Sequence, residues 1–252
     1  MKFKKKFIAI GILAILLLFA AIYRDMISYG MMQARGQYSV LANARPVEDY
    51  LNDKTFPDSL KRKIRLIQEV RKFAIDSLGL KNSDNYTTLF DQSGKNILWN
   101  LSASEKYEMK PQEWGFPLLG KFSYKGFFDL DRAKEERTVL MKKGLDTRIR
   151  SVGGWSTLGW FKDPILSNML YRKEGQLAEL IIHELTHATL YIKDSVAFNE
   201  NLATFIGEKG AIKFLKFKFG EDSPEIDEYL RSFDDSKNFG DHMLRGYHQL
   251  DS

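Results

Sequence analysis

The 252-residue chain contains no cysteine, only four histidines and only six prolines. The absence of cysteine excludes disulfides, thiolate metal ligands and a lipidated N-terminal cysteine, and it is compatible with any redox compartment. The net charge is +5, but Lys2, Lys4, Lys5 and Lys6 supply four of the positive charges. The rest of the chain is near neutral and has no basic stripe, so we expect no nucleic-acid partner.

A long uncharged run follows the N-terminal lysines. Residues 7–23 form 17 consecutive apolar positions, which is the short end of what a helix needs to span about 30 Å of hydrocarbon. We expect a transmembrane signal anchor over 7–23, with the basic segment 1–6 in the cytoplasm and the remainder outside it, on the periplasmic or extracellular side. A cleaved signal peptide is the alternative, but the sequence around 18–22 fits a small-x-small cleavage site poorly.

The pattern beyond the anchor predicts a helical membrane-proximal segment over 24–57 and a main domain over 58–252. Strands in the middle of the chain and helices behind them predict an α+β fold. The expected elements are an amphipathic helix over 58–80, a β-hairpin over 86–101 with its turn at Ser93–Gly94, a helix over 129–144, a strand over 147–157 and nearly continuous helices from Lys173 onward.

Two of the four histidines lie in one apolar stretch, E-L-I-I-H-E-L-T-H-A-T-L-Y, over 179–191. On a helix His183 and His187 lie on one face, one turn apart, so both rings can bind one metal ion. Glu184 follows the first histidine, where a carboxylate can take a proton from a metal-bound water. Imidazole with a carboxylate suits zinc. The alternative is an ordinary buried helix, in which unpaired histidines and a glutamate would be costly.

A third metal ligand is expected on the next helix. That helix should follow a turn near 193–194 and end near Gly210. In such an antiparallel hairpin Glu200 lies level with His187, as a three-ligand site requires. Glu208 is the rival ligand, but it lies about 12 Å further along the helix axis.

Several motifs resemble known families. H-E-L-T-H followed by N-E-N-L-A resembles the gluzincins, whose second motif begins with Asn-Glu. A closer resemblance, over most of 29–210, is to the putative aminopeptidase family of bacterial envelope proteins. It rests on V-R-K-F-A-I-D-S-L-G-L (70–80), I-L-W-N-L-S-A (97–103), W-G-F-P-L-L-G-K-F-S-Y-K-G-F-F (114–128), W-S-T-L-G-W-F-K-D-P-I-L-S (155–167) and the two metal motifs.

The resemblance implies a zincin-like metallopeptidase domain with a β-sheet packed on the H-E-x-x-H helix. It implies His183, His187 and Glu200 as ligands of one zinc ion and Glu184 as the catalytic glutamate. The family pattern commonly has cysteines around W-x-F-P, and Gly115 and Lys121 occupy those positions here.

Further candidates follow from what a peptidase needs. Oxyanion stabilisation usually requires another donor, and the resemblance favours Tyr124. Residues 152–161 are expected to hold the substrate backbone as a sheet-edge strand, with a packed aromatic strand as the alternative. Glu113 and Asp163 are candidate acids for a substrate amine. The remaining oxyanion candidates are Tyr191, Tyr247, His242 and His248.

Together these features predict a membrane-anchored zinc metallopeptidase acting on a peptide or protein substrate, with aminopeptidase action suggested by the resemblance. The alternatives are an endopeptidase of the same fold and a non-catalytic, zinc-stabilised binding module of the cell envelope. The presence of Glu184 favours an enzyme, because a structural metal site needs ligands but no base.

Overall fold

The computed structural model describes residues 11, 14, 18–108, 110–116, 120–153, 161–193 and 195–250. These residues form an α+β structure that is mostly helical, with short strands. In chain order the elements are α1 (Arg24–Asn43), β1 (Arg45–Pro46), α2 (Val47–Asn52), α3 (Asp58–Asp76), β2 (Thr88–Phe90), β3 (Trp99–Ser104), β4 (Trp114–Phe116), β5 (Gly120–Phe122), β6 (Lys125–Phe127), α4 (Leu130–Lys142), β7 (Asp146–Ser151), β8 (Ile165–Leu166), a 3₁₀ helix (Ser167–Tyr171), α5 (Glu174–Thr189), α6 (Val196–Phe219) and α7 (Pro224–Leu250).

The chain divides into two compact units, each built from separate stretches of sequence. The first unit comprises Met1–Ala42, Ile97–Gln112 and Ser123–Ser151. The second comprises Asn43–Asn96, Glu113–Phe122 and Val152–Ser252.

The first unit contains a three-stranded antiparallel sheet in the order β6-β3-β7. Leu101, on the central strand, is completely buried and lies opposite Ile149. Helix α4 begins after Asp129, whose carboxylate accepts hydrogen bonds from the backbone N–H groups of Asp131 and Arg132. Such a cap satisfies donors that the first helical turn cannot pair. The helix predicted over 129–144 is therefore confirmed, and the strand predicted from 147 is confirmed as far as Ser151.

The second unit contains the sheets β1-β2-β8 and β4-β5. In the β4-β5 pair Gly115 lies directly opposite Lys121, so the two positions at which the resemblance implies cysteines are cross-strand neighbours. Lys121 instead forms an ion pair with Glu113 at 3.5 Å.

Helix α3 carries the core of the second unit on one face. Ile64, Ile67, Val70 and Ala74 are all completely buried, and their spacing of three and four residues places them on a single stripe. The chain leaves the helix through Gly79, whose φ of 71° lies in the left-handed region that glycine adopts at little cost. The amphipathic helix predicted over 58–80 is confirmed.

Helix α5 packs mainly against other helices, namely α3, α6 and α7. Its fully buried apolar residues cover a broad arc of the helix surface, which comprises Leu177, Ala178, Ile181, Ile182 and Leu185. A helix with so broad an apolar surface needs several neighbours to cover it. The prediction of one β-sheet packed on this helix is corrected accordingly: the described strands form three small sheets.

The predicted transmembrane helix is also corrected. Among the residues that the structure describes, no helix is both long enough and apolar enough to cross a bilayer. Helix α1 begins with Arg24 and Asp25 and carries Arg35, and charged residues at membrane depth are costly. This finding contradicts the expected signal anchor, the membrane as a partner and the single-pass anchoring of the chain. Segment 1–6 and much of 7–23 lie outside the described residues.

The β-hairpin predicted over 86–101 is wrong, although its turn is present. Lys95 donates a backbone hydrogen bond to Gln92, and Ser93 and Gly94 both have positive φ. However, β2 pairs with β1 and β8, whereas β3 pairs with β6 and β7. Gln92 explains the difference, because its backbone N–H donates to the Ser167 hydroxyl at the 3₁₀ helix rather than to a hairpin partner.

Candidate metal centre

Helix α5 presents its two histidines from a rigid, buried support. Its apolar side chains Ile181, Ile182 and Leu185 are completely buried, and burial of each such side chain contributes about 1.5–3 kcal/mol. The helix has no side-chain cap at its N-terminus, so tertiary packing rather than capping holds it. His183 and His187 lie on successive turns, with their ring centroids 4.8 Å apart and the rings nearly perpendicular.

Asn199 closes the connection between α5 and α6. Its side-chain oxygen accepts from the backbone N–H of Ile192 at 2.9 Å, and its amide donates to the Ile192 carbonyl at 2.7 Å. Asn199 is only 1% exposed, so this double hydrogen bond is shielded from competing water. Because Glu200 is the next residue, the clamp at Asn199 fixes where the helix brings its carboxylate.

Two glycines allow α6 to lie close to α5. A Cβ at Gly207 would lie 3.1 Å from the Glu179 carbonyl oxygen and 3.2 Å from Cβ of His183. A Cβ at Gly210 would lie 3.0 Å from the side chain of Ile182. The prediction that the helix ends near Gly210 is wrong, because α6 continues to Phe219. Gly210 has a packing role in the helix instead of a terminating one.

Three ligand atoms converge between the two helices. The Nε2 atoms of His183 and His187 are 3.1 Å apart. The Glu200 carboxylate lies 3.5 Å from Nε2 of His183 and 3.6 Å from Nε2 of His187. Among the described residues these three form a group that could hold a metal ion. The expected arrival of Glu200 beside the two histidines is confirmed, and Glu208 is not part of the group.

The donor set and its dimensions fit a divalent metal. With ligand bonds of about 2.0–2.1 Å, the edges of a tetrahedral zinc site are about 3.3 Å long, which lies within the observed 3.1–3.6 Å. Two neutral imidazoles facing each other through the same nitrogen can share only one proton. A cation between them and the carboxylate satisfies all three lone pairs.

The electrostatics favour an ionised carboxylate at the centre. The two histidines, His183 first, lower the pKa of Glu200 to about 2. Burial opposes charge on His183, but the nearby Glu200 carboxylate and the charge of Glu184 outweigh it and raise the pKa of His183 overall. Glu200 is therefore anionic at neutral pH, which is the form that binds a cation.

Access to the centre is uneven. The His187 side chain is only 4% exposed, whereas that of Glu200 is 53% exposed. Glu184 is partly buried on the same helix, next to His183. An open side with a carboxylate beside the first histidine is the arrangement that a catalytic site needs, because substrate and water must reach the ion.

The other candidates are not members of this three-residue group. Tyr124 belongs to the first unit and is 40% exposed, and its role stays a prediction. The ring of Tyr191 lies 6.3 Å from that of His187. Asp163 is completely buried, so it is a poor receptor for a substrate amine. Most of the substrate-binding strand predicted over 152–161 lies outside the described residues. Glu113 is paired with Lys121, and His242, Tyr247 and His248 lie on α7.

Sequence reasoning missed two residues of this region. Asn199 had a visible signal, since it directly precedes the third ligand, but its clamp on Ile192 depends on the loop conformation. Tyr86 had no signal in the sequence. Its backbone has a positive φ of 63°, and its hydroxyl is buried without a hydrogen-bond partner among the described residues.

The comparisons with known proteins give one finding. The family described as "Putative aminopeptidase" matches residues 28–252, a range that includes His183, Glu184, His187 and Glu200. No curated protein and no solved structure matches the chain. Because the match extends over most of the sequence, the chain belongs to the putative aminopeptidase family.

Proposed function

We propose that the protein is a zinc-dependent peptidase that acts as an aminopeptidase, with His183, His187 and Glu200 as zinc ligands and Glu184 as the general base. The observation that carries this proposal is the convergence of three ligand atoms beside Glu184. Membership of the putative aminopeptidase family supports hydrolysis of peptides and is the basis for preferring exopeptidase action.

The composition of the site favours a catalytic metal over a structural one. Structural zinc sites are closed by four protein ligands, often cysteines, whereas catalytic sites use three and keep one position open. The chain has no cysteine, and the candidate group in the described residues has three members. The half-exposed Glu200 side chain leaves that group accessible from solvent.

The residues divide the work of hydrolysis between them. When bound, zinc would lower the pKa of a coordinated water and polarise the scissile carbonyl. His183 and His187 hold their position through the buried helix, and Glu200 through the clamp at Asn199. Glu184 accepts the proton of the attacking water and passes it to the leaving amine, so the carboxylate is regenerated after each turnover.

A Glu184→Gln variant tests the assignment of the base. Glutamine has nearly the same shape but cannot accept the proton, so we expect kcat on peptide substrates to fall by about 10²–10⁴-fold. Zinc content should stay at the wild-type level, because Glu184 is not a ligand. Steady-state kinetics and elemental analysis of the same preparations give both quantities.

A matched control is Glu208→Gln, a change of the same kind on the neighbouring helix, which should leave kcat unchanged. Equal cleavage by wild type and Glu184→Gln would refute Glu184 as the base, and no cleavage by either protein would leave a zinc-stabilised binding module. If the wild type cleaves, the products decide the direction of attack. Release of single N-terminal residues supports an aminopeptidase, whereas internal cuts indicate an endopeptidase.

A further inference from the structure

Three aromatic rings follow one another at four-residue spacing along α5 and just beyond its end. The ring of His187 lies against that of His183, four residues earlier, and against that of Tyr191, four residues later. The centroids of the Tyr191 and His187 rings are 6.3 Å apart, and the ring planes are inclined at 66°. This geometry is that of an edge-to-face aromatic pair, which is attractive beyond the apolar area it buries.

The backbone on both sides of Tyr191 is fixed. The N–H of Leu190 donates to the carbonyl oxygen of Thr186 at 2.9 Å and completes the last turn of α5. On the other side, the buried side chain of Asn199 holds both the N–H and the carbonyl of Ile192. Tyr191 is the single residue between these two anchored positions. The fold therefore determines where its partly buried side chain begins.

The ring of His187 is oriented by packing. Histidines that bind metals usually donate their second ring N–H to a carboxylate or a backbone carbonyl, which fixes the direction of the ring. The Nδ1 atom of His187 is buried without a hydrogen-bond partner among the described residues, and its side chain is only 4% exposed. Among the described residues, the contact with Tyr191 can supply the orientation that a hydrogen bond would otherwise give.

We propose that Tyr191 is a positioning residue of the metal centre, whose aromatic ring holds the imidazole of His187 in the orientation in which Nε2 faces His183 and Glu200. The role belongs to the ring and not to the hydroxyl, because the contact joins two ring systems. It rests on the proposed function of His187 as a zinc ligand.

Zinc affinity tests the positioning role without any need for activity. Tyr191→Leu keeps an apolar side chain but removes the ring, so we expect zinc to bind about 2–10-fold more weakly, the contribution of one aromatic pair. Tyr191→Phe keeps the ring and should bind zinc like the wild type. Competition with a chelator of known affinity measures all three proteins.

Ile192→Ala is the matched control at the neighbouring position. The clamp from Asn199 uses the backbone of Ile192 and not its side chain, so this variant should keep the wild-type zinc affinity. Equal weakening in Ile192→Ala and Tyr191→Leu would show that the loop as a whole holds the site, and it would overturn the inference. Wild-type zinc affinity in Tyr191→Leu would overturn it as well.

Kinetics distinguish the ring from the hydroxyl. A positioning ring predicts the wild-type kcat in Tyr191→Phe. A hydroxyl that stabilises the oxyanion would predict a fall in kcat of about 10²–10³-fold at unchanged zinc content, and that result would overturn the inference.

Unfolding of the zinc-free protein tests the contact itself. Tm is measured for the wild type, Tyr191→Leu, His187→Ala and the double variant. If the two rings hold each other, the shifts of the single variants do not add in the double variant. Additive shifts in a protein that binds zinc would refute the role of Tyr191 and leave the proposed function standing. A wild type that binds no zinc would refute the proposed function and, with it, this role.

Discussion

The polar side chains in the two halves of helix α5 have different kinds of partner. In the N-terminal half, Glu174 meets Lys63 at 2.5 Å, and Glu179 accepts a hydrogen bond from the Tyr229 hydroxyl at 2.9 Å. In the C-terminal half, His183 and His187 turn the same ring nitrogen toward each other at 3.1 Å. Acceptors meet donors in the first half, whereas in the second half two ring nitrogens meet that can each bind a metal ion.

This difference distinguishes polar groups that stabilise the fold from polar groups that can bind a metal ion, within one helix. A paired carboxylate recovers what it loses on leaving water, so it can serve the fold. Two neutral imidazoles that meet through the same nitrogen can share only one proton, and the Nδ1 atom of His187 is also buried without a partner among the described residues. Such an arrangement costs stability unless a cation binds, and a fold retains that cost where a function requires it.

The largest expected effect comes from changing Glu200, the residue of α6 that meets the two histidines in the C-terminal half of α5. Glutamine at this position removes the anionic ligand, so we expect zinc affinity to fall by at least about a hundredfold, more than the loss of an outer partner of a ligand causes. Competition with a chelator of known affinity measures this change. Glu208→Gln is the control on the same helix and should bind zinc like the wild type. Equal weakening in both variants would contradict the assignment of Glu200 as the third ligand.

Removing a hydrogen bond in the N-terminal half of α5 should lower the thermal stability and leave the zinc affinity unchanged. Tyr229→Phe removes the donor to Glu179. Burial, and then the charge of Glu179, raise the pKa of Tyr229. Loss of a partner from a partly buried carboxylate costs about 1–3 kcal/mol, which corresponds to a fall in Tm of about 3–10 °C for a chain of this size. Thermal unfolding measures the loss, and chelator competition should give the wild-type zinc affinity.

A loss of zinc affinity in Tyr229→Phe as large as that in Glu200→Gln would mean that the two halves are not separate. The ring of Tyr229 lies against Gly175, where a Cβ would come within 2.5 Å of it. Gly175→Ala should therefore displace α7 and lower Tm in the same way. This variant is a second test of the contact between Tyr229 and the N-terminal half of α5.

The sequence predicted the metal half of α5 better than the paired half. The positions of His183, His187 and Glu200 followed from helical periodicity and from counting residues around one turn, because both depend only on local geometry. The pairing of Glu179 with Tyr229 joins residues 50 positions apart. It could not be predicted, because it depends on where α7 returns to the helix.

The errors have the same physical origin. Ser93 and Gly94 form the predicted turn, but a turn does not decide which strands pair. The end expected near Gly210 relied on the usual role of glycine as a helix terminator, whereas here the residue serves the close approach of α6 to α5. In both cases contacts between distant segments overrode a correct local signal.

Gly207 of α6 contacts both halves of α5, at Glu179 and at His183. Its replacement by alanine should change stability and zinc affinity least among these variants. The added Cβ would approach the backbone carbonyl of Glu179 and Cβ of His183, which yield less easily than the end of a flexible side chain. Overpacking of this kind costs about 1–3 kcal/mol, and alanine recovers about 1 kcal/mol of helix propensity. We expect a net loss of about 1 kcal/mol and a modest fall in zinc affinity, measured by thermal unfolding and chelator competition.

Gly240→Ala, on α7 with open space around the site, should stabilise the protein instead. If Gly207→Ala behaves like Gly240→Ala, close contact between α5 and α6 is not what holds the ligand atoms together.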